Sequence, residues 1–263
     1  MAEKRLVALF DILGFRNMIR TQTVDQIAEA YKSTIKNLSV FGIAKRDATQ
    51  PTMFPDHAEG VPYCSMYIFS DTIILISHSE LIADQIKLIV FAWRFQQFLI
   101  VNELPVRGGI SYGEMVLDPK IGIVLGTALV DAYELEQQQN WIGACFDETI
   151  MGNGLDAAIR ENPFLGDLFP YYEVPFKDGT TKLRRIVNWR FGLMSKHGIR
   201  NFFHEPEADD VSVKMKIENT LAYCKVIRSR GWRFADDGTN LPTELKLFFV
   251  GDSEPPWPSG DEY

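Results

Sequence analysis

Two aspartates stand where carboxylates are hard to place. Asp11 closes the apolar run at residues 6–10 and precedes Ile12, Leu13, Gly14 and Phe15. Asp71 lies between two β-rich segments in CSMYIFSDTIILIS. A carboxylate among apolar neighbours is costly unless it is paired or bound to a metal. Either aspartate alone reads as an ordinary turn or cap residue. Brought to one end of a sheet, the two offer hard oxygen ligands with open coordination positions, which suits Mg²⁺ or Mn²⁺ shared with substrate phosphates. Gly14 and the helix start that follows add backbone N–H groups and a positive dipole end, a seat for a triphosphate. Arg16 and Arg20 come next at one-turn spacing. Arg16 can add charge there, and Arg20 reads as an ordinary exposed arginine.

Holding such residues takes a particular set of elements. Residues 5–11 predict a short strand buried on both faces. After Gly14, residues 16–41 carry Ile27, Ala30, Tyr31, Ile35 and Leu38 at helical spacing, with Thr23 as N-cap of the second part. The stretch 45–62 holds three prolines and reads as a loop. Residues 64–77 predict a hairpin with Ser70 and Asp71 at its tip. Helical patterning covers 80–102. Residues 104–118 predict a glycine-bearing strand that turns at 119–122, followed by a helix over 127–139 capped by Thr127 and a strand over 141–146.

The order β–α–ββ–α–ββ–α–β fits an α+β ferredoxin-like or palm plan, an antiparallel sheet with helices on one face. The other face is expected to be free for a ligand or a second subunit. Further on, 171–191 predict a hairpin around Asp178 and Gly179, and 213–231 an amphipathic helix ending at Gly231. The aperiodic, proline-bearing tail from Asp252 is expected to be disordered.

Composition bounds the rest. With 46% hydrophobic and 12% aromatic residues the chain can fill a sizeable core. A net charge of −8 argues against a general nucleic-acid binder, which needs a basic face. Cys64, Cys145 and Cys224 lie far apart, so neither a disulfide framework nor a zinc knuckle is expected. His57, His78, His197 and His204 show no ligand spacing. The apolar run at 6–10 is too short for a leader or a membrane span, and 88–101 is interrupted by Arg94, Gln96 and Gln97. A soluble, cytoplasmic protein with no membrane partner is expected.

Four strings together carry a family resemblance. FDILGF is similar to the FxDIxGF signature of the adenylate/guanylate (class III) nucleotidyl cyclase catalytic domain. FSDTIILI lies where that family has its second metal aspartate, PVRGGISYGEM resembles its RxGIxxG strand, and GTALVDAYELE occupies the place of its following helix. The four occur in the family's order over about residues 5–150, which is more specific than any one of them. The resemblance implies a cyclase core at 1–150, a C-terminal α/β extension at 151–250 that elaborates the same sheet, and a tail at 251–263. It further implies two Mn²⁺ or Mg²⁺ ions per site on Asp11, Asp71 and the carbonyl of Ile12. Gly14, Phe15 and Arg16 would bind the nucleotide, together with Lys177, which loosely matches a late phosphate-binding lysine. The substrate would be a nucleoside triphosphate, handled by a homodimer whose sites form between subunits.

Departures from the pattern sharpen the expectation. The helix positions of the family's substrate-orienting Asn and transition-state Arg are here Val130 and Glu134, and Arg107 matches a position not counted as catalytic. The base-reading lysine of adenylyl cyclases is here Tyr67, whose bulk leaves less room for a purine. In this the chain resembles the bacterial pyrimidine cyclases of the Pycsar anti-phage system. That implies cyclic UMP from UTP, preferred over CTP, read by a separate effector. A cyclase-like nucleotide-binding or regulatory module without catalysis, and a purine cyclase, remain the alternatives. The lack of a fused sensor domain suggests control from outside the chain.

Overall fold

The computed structural model describes residues 2–38, 63–118, 120–191 and 211–229. The loop expected at 45–62, Gly231 and the tail from Asp252 lie outside the described residues.

β1 (Glu3–Ile12) is the central strand, and its residues 6–10 are at most 4% exposed. It pairs antiparallel with β3 (Thr72–Ile76) on one side and β4 (Val106–Asp118) on the other. β2 (Ser65–Phe69) lies outside β3. β5 (Ile123–Gly126) and β6 (Ala144–Phe146) share the far edge of β4, with β6 parallel to it. The antiparallel order β2-β3-β1-β4 is that of the ferredoxin-like double split βαβ, so the expected α+β plan is present.

The continuous apolar run of β1 is explained by cover on both faces. Leu6, Ala8, Phe10 and Ile12 point into one core with Leu88, Phe91 and Phe95 of α3 (Ile82–Val101). α1 (Phe15–Thr21) and α2 (Val24–Leu38) pack against the same core through Phe15, Met18, Ile27 and Tyr31. Thr23 caps α2 as expected: its Oγ1 accepts from the Gln26 N–H, while Gln26 Oε1 accepts from the Thr23 N–H.

The opposite face is not left free. Val7 and Leu9 pack there with Ala128 and Ala132 of α4 (Thr127–Gln138). The helix comes close because β4 presents Gly109 and Gly113. A Cβ on Gly109 would lie 2.2 Å from the Ala132 carbonyl oxygen, and one on Gly113 would lie 2.6 Å from Thr127 Oγ1. Thr127 is the first helical residue rather than the cap, and its hydroxyl accepts from the Glu114 N–H.

Beyond β6, α5 (Leu155–Glu161) and α6 (Pro163–Leu168) lead to β7 (Tyr171–Pro175) and β8 (Thr181–Arg185). These two pair as a separate two-stranded sheet that meets its surroundings at the isolated bridges Gln139–Phe176 and Cys145–Ile186. α7 (Val211–Ser229) packs on this unit, and Tyr223 meets Trp141 edge-on at a 5.1 Å centroid distance. The three cysteines are free and buried, and burial pushes their thiols up, Cys224 to about 12. Among the described residues no helix is long and apolar enough to cross a membrane.

Candidate active site

Asp11 is the penultimate residue of β1, opposite Thr72 on β3 and Arg107 on β4. Strand alternation puts it on the face of Val7 and Leu9, the α4 side. Asp71 follows Ser70 in the two-residue turn that joins β2 to β3, between the paired residues Phe69 and Thr72. The Ile12 N–H donates to the Asp71 carbonyl at 2.9 Å, and the Leu13 N–H donates to Pro105 at 2.8 Å. The end of β1 is therefore tied on both sides, and both aspartates stand at one end of the sheet. Ser70 holds a left-handed φ of 57°, unusual for a residue with a side chain. The phenol of Tyr31 on α2 donates to the Ser70 carbonyl at 2.6 Å and braces this turn.

The electrostatics follow from this crowding. Burial, with Glu136 and then Asp71 nearby, raises Asp11 to about 6, against the opposing pull of Arg107 and Lys177. Tyr31 is pushed up by burial and by the same two aspartates. Glu136, on the inner face of α4, is 0% exposed and is matched by Arg107: Nε donates to its Oε1 at 2.5 Å, and Nη1 donates to the Gln139 carbonyl at 3.0 Å. Burial and Arg107 depress Lys177, which opens the β7–β8 turn. The Lys177 N–H donates to the Gln138 carbonyl at 2.8 Å, which pins that turn to the end of α4.

Whether a metal fits can be judged from the donors. With Glu136 taken by Arg107, Asp11 and Asp71 are two crowded carboxylates, and a divalent cation between them would offset their repulsion. Among the described residues no group of three or more His, Cys, Asp and Glu side chains comes together as ligands. A hard cation here would draw its remaining oxygens from backbone, water or a phosphate-bearing substrate.

The other sequence candidates divide. Ile12 is buried and its N–H is taken by Asp71, so only its carbonyl can serve a ligand. Gly14, at φ 77°, is the N-cap of α1, and Phe15 is buried in the core. Arg16 and Arg20 are exposed. Tyr67 lies on the α4 face in the row Tyr67–Ile74–Leu9, partly buried against Val7 and Leu9. Asp11 belongs to the next row on that face, so the two are not brought into contact. Val130 and Glu134 are exposed on α4. Tyr31 and Glu136 were not singled out by the sequence. Tyr31 counted only as an apolar helix position. Glu136 continues the spacing of Ala128 and Ala132, and that was its signal: an acid on an inward stripe needs a cation.

No protein-family model matches the chain, and no curated protein matches it. Among solved structures it is similar to a bacterial light-regulated adenylyl cyclase, at 11% identity and a TM-score of 0.45. That likeness covers 77% of this chain and 56% of the other, and one so distant says nothing about substrate or site residues.

Proposed function

We propose that this chain is a metal-dependent nucleotidyl cyclase that converts a pyrimidine nucleoside triphosphate, UTP ahead of CTP, to its 3′,5′-cyclic monophosphate and pyrophosphate. The observation that carries the reading is the convergence of Asp11 and Asp71 at one end of the sheet, with Arg107 and Lys177 beside them. The four motifs in family order support it. Asp11 and Asp71, with the Ile12 carbonyl, hold Mn²⁺ or Mg²⁺. When bound, the ions supply Lewis-acid activation of the ribose 3′-hydroxyl and charge for the α-phosphate. The backbone at Gly14, Phe15 and Arg16 and the ammonium of Lys177 orient the phosphates. Tyr67 offers a flat, partly buried ring to a base, and in a two-fold homodimer that base belongs to the partner's substrate. The product passes to a separate effector, and a defence role follows the pyrimidine reading.

A second reading is a nucleotide-binding module without catalysis. It is favoured by Val130, 53% exposed, and by Glu134, which stand where the family's helix carries polar and cationic groups. The test is purified protein with Mn²⁺ and each of ATP, GTP, CTP and UTP separately, with products resolved by mass spectrometry. A cyclic pyrimidine monophosphate that disappears in Asp71→Asn supports the proposal. A cyclic purine overturns the reading of Tyr67, and no product from any of the four favours the module.

A further inference from the structure

The inner face of α7 is continuous. Thr220, Tyr223, Cys224 and Ile227 are buried at helical spacing, and one turn before Thr220 the same stripe carries Lys216. A lysine there is only partly exposed, whereas Lys214 and Met215 beside it are exposed. The register of the helix is fixed. Thr220 Oγ1 accepts from the Ile142 N–H at 2.8 Å, and Asn219 Nδ2 donates to the Asn140 carbonyl at 2.7 Å. The segment just before those anchors also gathers the site: Gln138 accepts from the Lys177 N–H, Gln139 from Arg107, and the Asn140 N–H donates to Pro175. Lys216 stands one turn before these anchors, on the same face as Thr220, and its Nζ donates to Ser212 Oγ at 3.2 Å.

We infer that Lys216, with Lys177, forms the subsite for the polyphosphate of the nucleotide, so that α7 supplies a cation which the motifs of the first half of the chain lack. This rests on the nucleotide reading above, but not on turnover. Burial and then Arg107 depress Lys177, and Lys216 adds a smaller push in the same direction, while Glu136 and Asp11 oppose them, so the two lysines lie near one another. With Arg107 matched by Glu136, the two lysines balance Asp11 and Asp71, and the charge of two divalent ions would offset that of a triphosphate. A partly exposed lysine at the end of an otherwise buried stripe, near the lysine of the β7–β8 turn, puts two positive charges where a polyanion can meet them.

The probe is inorganic tripolyphosphate with Mg²⁺, titrated calorimetrically into the full chain, beside Mn²⁺ binding without phosphate followed by electron paramagnetic resonance. Lys216→Gln keeps most of the aliphatic stem. It is expected to weaken tripolyphosphate binding about tenfold and to leave the phosphate-free Mn²⁺ isotherm unchanged. Lys216→Arg should restore most of the affinity, and Lys214→Gln, on the outer face, should leave it at the wild-type level. Tripolyphosphate bound equally well by Lys216→Gln overturns the inference, as does wild-type protein that binds none. Tripolyphosphate binding that depends on Lys216, in a protein that cyclises no nucleotide, would sink catalysis and keep the subsite.

Discussion

Asp11 and Arg107 face each other across the β1–β4 ladder, yet the guanidinium of Arg107 is spent on Glu136 and Gln139. The aspartate therefore has a cation beside it but, among the described residues, no ion pair of its own. Its raised pKa follows, and so does the cost of disturbing the pair behind it.

Glu136→Ala would leave the Arg107 charge buried and unmatched. A loss of about 3–5 kcal/mol is expected from removing one partner of a buried pair. The double variant Arg107→Met with Glu136→Leu should lose clearly less than the two single variants added together. Urea unfolding of the four proteins measures the coupling, and additive losses would show that the pair contributes nothing beyond its parts.

In metal-free protein the Asp11 carboxyl titrates near 6 rather than 3.8. The native state then holds more protons than the unfolded chain between about pH 4 and 6, so stability falls as pH rises through that window. The full shift is worth about 3 kcal/mol, and solvent screening of a partly exposed group reduces it to about 1. Asp11→Asn should flatten this slope and be the more stable protein at pH 7. Mn²⁺ needs the carboxylate, so its stabilising effect should grow as pH rises through 6. Thermal melts across pH 4.5 to 8, with and without Mn²⁺, read both trends. An Asn variant that kept the wild-type slope would assign it to other groups.

Tyr31→Phe deletes the hydroxyl that braces the Ser70 carbonyl. The expected cost to stability is about 1 kcal/mol, with a several-fold weaker Mn²⁺ affinity because the turn carrying Asp71 is loosened. Unchanged Mn²⁺ affinity would reduce Tyr31 to a packing residue.

Gly109→Ala puts a methyl group into the backbone of α4. Destabilisation of about 2–4 kcal/mol is expected. At Gly14 an added Cβ meets nothing within 4 Å, and only its φ of 77° resists substitution. Gly14→Ala should therefore cost about 1 kcal/mol. Comparable losses at the two sites would mean that α4 shifts easily, and that the glycine stripe is not what seats it.

Much of this arrangement was legible in the sequence. The unbroken run at residues 6–10 signalled a strand covered on both faces. The β-branched segments around Ser70 and Asp71 gave the hairpin tip, and Asp178 with Gly179 gave the turn that presents Lys177. That α4, and not a ligand or a second subunit, covers the second face was hidden because this helix faces the sheet with Ala128, Ala132 and Glu136, too small and too polar to read as an apolar stripe. Its fit depends on Gly109 and Gly113, which lie far from it in sequence. Tyr31 was hidden for a similar reason, since its partner is a backbone carbonyl that only the folded chain brings near.

The bond from the Ile12 N–H to the Asp71 carbonyl has a bearing on how this chain can vary over descent. The spacing between the two carboxylates is set by peptide units in a ladder rather than by the side chains around them. Exchanges at the partly exposed positions of β2, and apolar exchanges within β3, can therefore accumulate without moving it. A residue gained or lost between Phe69 and Thr72 cannot be absorbed in that way, because it would carry Asp71 out of frame with β1. Apart from Asp71 and the buried positions of β3, the hairpin can change its letters, but it must keep its length.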